Sequence, residues 1–136
     1  MAMSVMVSDS NGNPVASAVV TLGLCPSCYA TGFWVTWAAG IVPWIEDTFP
    51  NEDEPDRNLI LDPGEDANGD GELTPPNSAA GTVPLPVTTD ENGVANFELY
   101  YLKKYAVWIE EEIRASTMVL GTETQSIYKF WMPYEQ

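Results

Sequence analysis

The side chains of this sequence whose types and spacing could do chemistry lie between residues 54 and 77. They fall into two consecutive twelve-residue segments, 54–65 and 66–77, and both fit a calcium loop with oxygen donors at positions 1, 3, 5, 7, 9 and 12. A hard divalent cation needs several oxygen ligands, and alternating donors can wrap it in a tight loop. The pattern therefore predicts bound calcium, as one or two ions. Magnesium fits less well because it prefers few carboxylates and keeps several waters.

Each loop is strong at the position where the other is weak. The second loop has Gly71 at its sixth position, where the chain must turn sharply, but Asn77 replaces the usual closing Glu. The first loop has its closing Glu65, but Leu59 stands at the glycine position. The sequence leaves two arrangements open: the loops share donors, or they bind two adjacent ions. The predicted ligands are Glu54, Asp56, Asn58, the Ile60 carbonyl, Asp62 and Glu65 in the first loop, and Asp66, Asn68, Asp70, the Glu72 carbonyl, Thr74 and Asn77 in the second.

These loops belong to a longer acidic segment. Residues 46–72 contain eleven Asp and Glu against one Arg, so this segment carries −10 of the −15 charge of the chain. Without a cation these acids repel one another and keep the segment open. Two alternatives to a metal site remain: a solvated acidic loop held by Asx turns, and a catalytic pair of carboxylates.

The composition excludes several classes of function. With 20 Asp and Glu, 5 Lys and Arg and no His, the chain lacks the positive charge that binds nucleic acid or an anionic membrane. The absence of His removes Ser-His-Asp and Cys-His catalysis, so we do not expect an enzyme. A hydrophobic fraction of 45% excludes a disordered acidic tail. The length suits a single domain, residues 1–136, with an acidic insert over residues 46–80.

The segments around the insert are predicted to be strands, because apolar residues alternate between turn signals. Leu99–Val119 fits helix and strand equally well, but the neighbouring strands favour a short helical turn near Lys103–Tyr105 and then a long strand. Tyr29–Ile45 is uncharged but short and broken by glycine and proline, so it predicts a strand or hairpin and not a membrane span. About seven strands predict an all-β fold, an antiparallel β-sandwich. The other predicted strands are Ser4–Ser8, Ala18–Leu24, Phe33–Trp37, Val83–Val87, Val94–Leu99 and Ile127–Met132.

Cys25 and Cys28 form a C-x-x-C pattern outside the βαβ context of a redox-active pair. A zinc site would need further thiol or imidazole ligands. In an exported protein the pattern predicts a disulfide between Cys25 and Cys28 that rigidifies a loop, and free thiols in a reducing compartment are the alternative. The N-terminus, Met1–Ser4, lacks a signal-peptide pattern, so we expect an excised module or a chain that has lost its export signal.

A family resemblance rests on six runs of this sequence: Asp9–Val15, Ala18–Leu22, Thr89–Ala95, Gly121–Pro133, Leu61–Asp66 and Asn68–Gly71. The first three resemble the opening and the central turn of bacterial Ig-like domains of the invasin and intimin type. The fourth is similar to the last strand of Ig-like repeats in exported bacterial proteins. The last two are similar to an acidic insert that such domains carry in exported proteins. The resemblance implies an Ig-like β-sandwich in a secreted or cell-surface protein, with a structural or adhesive role.

The combined hypothesis is a calcium-stabilised extracellular module that acts as a spacer, assembly unit or adhesion domain of a bacterial surface protein or filament. Its expected partners are neighbouring modules, identical subunits, or a surface glycan or protein ligand, with no nucleic acid and no membrane insertion. The alternative is a carbohydrate-binding module that uses exposed tryptophans, although aromatic residues at alternating strand positions more often pack in a core. The candidates are Trp34, Trp37, Trp44, Trp108 and Trp131.

Overall fold

The computed structural model of the chain describes residues 1–54 and 56–134, and strands dominate this part. About 50% of the residues are in strands and 5% in helices, and the sheets are antiparallel. The fold is therefore all-β and sandwich-like, which confirms the predicted fold class. Its assignment to the Ig type stays a prediction.

Seven strands run through the described residues. They are β1 (Ala2–Met6), β2 (Val19–Trp37), β3 (Gly40–Pro50), β4 (Val87–Thr88), β5 (Val94–Glu98), β6 (Ile109–Val119) and β7 (Thr122–Trp131). β1 and β5 pair as a two-stranded sheet, and the other five form a sheet of order β3-β2-β6-β7 with β4 paired to β2. Two 3-10 turns, Asn77–Ala80 and Lys103–Tyr105, connect strands.

Most predicted elements are present within a few residues of their predicted positions. The ambiguous segment, Leu99–Val119, forms the predicted helical turn and then the long strand β6. The predicted strand Val83–Val87 is reduced to the two-residue β4, because prolines remove donors from a ladder. The predicted acidic insert begins later than expected, since its residues up to Pro50 belong to β3.

The predicted disulfide between Cys25 and Cys28 is wrong. Both residues lie inside β2, a continuous 19-residue strand where we predicted two strands with a loop between them. Within the described residues no disulfide joins them. A strand rises about 3.3 Å per residue and alternates its faces, so residues three apart lie about 10 Å apart and point to opposite sides. A disulfide requires Cα atoms within about 7 Å.

The chain divides into two compact units, of which the first consists of Met1–Cys25, Gly81–Tyr101 and Glu112–Tyr128. A turn follows β1, in which one oxygen of the Asp9 carboxylate accepts the backbone N–H groups of Asn11 and Asn13 at 2.9 Å each. The apolar core of this unit is built from alternating strand residues and their flanks. It contains Val7, Ala18, Val20, Leu22, Ala95, Phe97, Leu99 and Ile113.

The second unit consists of the described parts of Pro26–Ala80, Leu102–Glu111 and Lys129–Gln136, so it contains the acidic insert. A long hairpin, in which Cys28–Trp37 pairs with Gly40–Pro50, leads into that insert. The single-domain organisation of residues 1–136 stays a prediction. The apolar core of this unit contains Tyr29, Ala30, Ala79, Ala80, Ala106, Ile109 and Met132, and its buried polar residues are Ser27, Asn51, Glu52, Asp53 and Glu111.

Candidate metal centre

A buried polar triplet, Asn51–Asp53, anchors the acidic insert directly after β3 ends at Pro50. The Asn51 side-chain amide donates to the Pro26 carbonyl at 2.7 Å, and its backbone N–H donates to the Ser27 carbonyl at 3.0 Å. Both acceptors belong to β2. The base of the insert is therefore fixed to a strand before the chain enters the two loops.

The buried carboxylate of Glu52 holds both ends of the second loop. Its Oε1 accepts the Tyr29 hydroxyl at 3.1 Å and the backbone N–H groups of Ala67 and Asn68 at 3.0 and 3.2 Å. Its Oε2 accepts the Thr74 N–H at 2.7 Å, and the Glu52 N–H donates to the Thr74 carbonyl at 3.0 Å. Charge-assisted hydrogen bonds of this kind offset the cost of burying a carboxylate.

The hydroxyl of Tyr29 belongs to the same buried network. Its ring stacks on Phe49, with centroids 5.2 Å apart and planes inclined by 24°. Burial, and then the hydrogen bond to Glu52, raise the pKa of Tyr29 to about 12, because ionisation would place a second negative charge beside a buried carboxylate. The hydroxyl therefore stays a donor to Glu52 throughout the ordinary pH range.

The second loop folds around the carboxylate of Asp66. One of its oxygens accepts the N–H groups of Gly69 and Asp70 at 2.7 and 3.1 Å, and the other accepts the Gly71 N–H at 3.0 Å. Gly71 has a φ of 76°, a left-handed conformation that makes the predicted sharp turn at the sixth position. The second loop therefore wraps around Asp66, its first predicted ligand, through hydrogen bonds that involve no ion.

The remaining predicted ligands of the second loop are partly brought together. Asn68 donates from its side-chain amide to the Thr74 hydroxyl at 3.0 Å, and that hydroxyl lies 3.5 Å from the Glu72 carbonyl oxygen. The carboxylate of Asp70 accepts the Glu72 N–H at 2.8 Å. Asn77, the predicted closing ligand, instead begins a 3-10 turn. Among the described residues, no group of three carboxylates converges in this loop.

The first loop does bring three carboxylates together. Asp56, Asp62 and Glu65 each offer one oxygen within 4.8 Å of the others. Two ligands on opposite sides of a calcium ion are about 5 Å apart, so this spacing suits a divalent cation. The Asn58 side-chain amide lies among them and donates to Asp56 at 2.9 Å and to Asp62 at 2.8 Å. A single neutral amide thus bridges two of the three charges.

The other predicted donors of the first loop are engaged locally. Arg57 forms an ion pair with Glu54 and donates from its Nε at 2.6 Å, so Glu54 lies outside the carboxylate group. The Ile60 N–H donates to the Asn58 side-chain oxygen at 2.7 Å. The structure therefore assembles Asp56, Asn58, Asp62 and Glu65 and directs Glu54 to an arginine.

Leu59 adopts a glycine-like backbone at the sixth position of this loop. Its φ is 68°, close to the 76° of Gly71 at the equivalent position of the second loop. Its N–H donates to both oxygens of the buried Asp53 carboxylate at 3.1 Å. Asp53 therefore holds a strained turn in the first loop, and the sixth positions of the two loops share a left-handed backbone despite the leucine.

Sequence patterns missed the anchoring residues Glu52, Asp53 and Tyr29. In the sequence Glu52 and Asp53 are two of the many acids of the insert, and no periodicity distinguishes them from their exposed neighbours. The available signal was their position, since the first polar residues after a strand must satisfy the backbone groups of the loop that follows.

Comparison with known proteins gives no match. No protein-family model matches the chain, and no curated protein or solved structure does either. The resemblance to bacterial Ig-like domains therefore rests on the sequence motifs alone. Within the described residues, no helix has the length and apolar character that a membrane span requires.

Proposed function

We propose that the acidic insert binds calcium and that the protein is a calcium-stabilised extracellular structural or adhesion module. The observation that carries the proposal is the convergence of Asp56, Asp62 and Glu65 within 4.8 Å. Three carboxylates at this distance repel one another, by about 1 kcal/mol per pair in water and more where solvent is excluded. A divalent cation removes that repulsion and supplies each oxygen with a partner.

The first loop is the primary site in this proposal. It provides two Asp, one Glu and an Asn, and the ion would replace the Asn58 amide as the partner of Asp56 and Asp62. Calcium is favoured over magnesium because it takes six to eight oxygen ligands in flexible geometry. A second ion would use Asp66, Asn68, Asp70, the Glu72 carbonyl and Thr74.

The expected consequence of binding is stability of the module. The loops already hold their turns through Glu52, Asp53 and Asp66, so an ion would tighten an ordered insert and not open a switch. Such sites in extracellular modules have dissociation constants of about 10⁻⁴–10⁻³ M, in the range of extracellular calcium. This behaviour suits a spacer or assembly unit of a bacterial surface protein or filament, with neighbouring modules or identical subunits as partners.

Calorimetric titration of metal-free protein with calcium chloride tests the site. The variant Asp62→Asn/Glu65→Gln should bind at least about tenfold more weakly than wild type. The matched control, Glu46→Gln/Asp47→Asn, also removes two negative charges, but from β3, and it should bind calcium like wild type. Equal loss in both variants would contradict a coordinated site and would indicate general attraction to an acidic protein. Asp66→Asn then reports whether the second loop holds its own ion.

One observation favours a second candidate function, carbohydrate binding. On one face of the β2–β3 hairpin, Phe33 pairs across the strands with Trp44, and Trp37 follows on the same face near the tip. Trp37 is 70% exposed and Trp44 is 58% exposed. Exposed aromatic rings in a row can stack on sugar rings through apolar faces. A tryptophan-fluorescence titration with soluble glycans, repeated on Trp44→Ala, tests this role, because a pure spacer responds to none of them.

A further inference from the structure

The first unit has a groove alongside β1. The residues of β1 that alternate toward its interior, Met3 and Val5, are only half-buried, whereas Val7 beyond the strand is buried. A cavity of about 450 Å³ lies against them. Its lining includes the core residues Leu22 and Ile113. Part of the apolar core of this unit is therefore open along one side.

The groove continues along β1 toward Ser8. A second cavity of about 160 Å³ reaches from Val5 to Ser8, and Val5, Ala115 and Ser126 line both cavities. β6 and β7 supply much of the remaining lining, with Ala115 of β6 and Ser126 of β7 in both cavities. Among the described residues that line the two cavities, no side chain is charged. The groove thus runs the length of β1 and is lined on its other side by β6 and β7.

One edge of β1 is available for pairing. Within the described residues β1 pairs only with β5. Met1 and Leu99 exchange hydrogen bonds at 2.8 and 2.9 Å, and the Val7 N–H donates to the Gly93 carbonyl at 2.8 Å. In an antiparallel ladder the backbone N–H and C=O groups of the odd-numbered residues of β1 therefore point toward β5. The backbone N–H and C=O groups of Ser4 and its even-numbered neighbours point the other way.

We propose that this groove binds an extended peptide strand with alternating apolar side chains and basic residues at its ends. The peptide would pair with the open edge of β1, and every second side chain would enter the apolar groove, as in β-strand addition. Charge selects the partner: the first unit contains six Asp and Glu and one Arg, while no described side chain that lines the groove is charged. A second copy of this chain would bring another net charge of −15, which opposes self-pairing. The inference does not depend on calcium binding by the insert.

A synthetic peptide tests the groove. The probe has about nine residues, in which valine alternates with threonine and a lysine stands at each end, and it spans roughly 30 Å when extended. We expect saturable binding below about 1 mM by fluorescence anisotropy, weakening as salt is raised. The amide NMR signals of Ala2, Ser4 and Met6 should shift. No binding in this range, or equal binding of a scrambled peptide, would overturn the proposal.

Two variants place the binding at the edge and in the groove. Ser4→Pro removes one outward N–H from β1 without removing a hydrogen bond to β5, and proline is tolerated on edge strands. It should weaken peptide binding at least about tenfold, while Ser4→Ala binds like wild type. Ala115→Phe fills the groove and should weaken binding without touching the edge. Unchanged binding in both would overturn the proposal. A concentration-dependent dimer that Ser4→Pro abolishes would also overturn it and would assign the edge to a second copy.

Discussion

Glu52 and Thr74 are joined in both directions, because the Glu52 carboxylate accepts the Thr74 N–H at 2.7 Å and the Glu52 N–H donates to the Thr74 carbonyl at 3.0 Å. These residues are 22 positions apart, since Glu52 precedes both acidic loops and Thr74 lies near the end of the second loop. The pair closes the insert at its base by a contact that involves no ion. Electrostatic repulsion among the acids is therefore confined to loops whose ends are already fixed.

Glu52→Gln should destabilise the protein by about 3 kcal/mol. Glutamine replaces one acceptor oxygen with an amide donor, so at least one buried N–H or hydroxyl loses its partner, and the remaining hydrogen bonds lose their charge. Denaturant unfolding measures the change. Glu46→Gln, at an exposed position of β3, is the control and should stay within about 0.5 kcal/mol of wild type. Equal stability of the two variants would contradict the anchoring role of Glu52.

Leu59→Gly should stabilise the protein by about 1 kcal/mol. A left-handed backbone costs a leucine about 1–2 kcal/mol, which exceeds the conformational entropy that glycine loses on folding. Ile60→Gly is the matched control, because Ile60 is also 61% exposed but has no positive φ. That variant should destabilise. If both glycines lower the free energy of unfolding, the turn at Leu59 is not strained.

Stability should fall between about pH 10 and pH 12 through the ionisation of Tyr29. The folded state raises the pKa of this hydroxyl from 10 to about 12, so its contribution is complete below pH 10 and is lost as the pH rises through about 12. Tyr29→Phe should remove that part of the pH dependence. The control is Tyr105→Phe, which should keep the fall in stability. The Ser78 hydroxyl lowers the pKa of Tyr105, so the ionisation of Tyr105 does not cause that fall. A pH profile that Tyr29→Phe leaves unchanged would place the titration elsewhere.

Both cysteines should take up an alkylating reagent without prior reduction. Cys25 and Cys28 point to opposite faces of β2, so the unfolded, unreduced protein should gain two labels by intact mass. In the folded protein Cys28 should react slowly, because burial and then the Glu110 carboxylate raise the pKa of its thiol and lower the thiolate fraction. A protein that gains labels only after reduction would restore the disulfide.

Alternation and turn residues were sufficient to predict most strands. The failure at β2 has a clear cause: Cys25–Cys28 contains a proline and a serine, which are typical of turns, yet the segment continues the strand. Pro26 and Ser27 are buried there, and the Asn51 side chain satisfies the Pro26 carbonyl. Such a contact over 25 residues leaves no local pattern in the sequence.

The candidate site was predictable in composition and only partly in geometry. The twelve-residue spacing identified Asp56, Asp62 and Glu65, since alternating donors in a tight loop point the same way. The spacing could not distinguish Glu54 from these three residues, although Glu54 forms an ion pair with the arginine three residues later. Burial decided the role of Glu52, and burial depends on the packing of the whole second unit.

The unfolding temperature of verified metal-free protein, measured at low salt with and without calcium, tests the central claim most directly. Binding to the native state alone at about one hundred times the dissociation constant stabilises by about 2.7 kcal/mol. The account predicts a rise of several degrees with calcium, its reversal by a chelator, and its loss in Asp62→Asn/Glu65→Gln. An unfolding temperature that calcium leaves unchanged would contradict it.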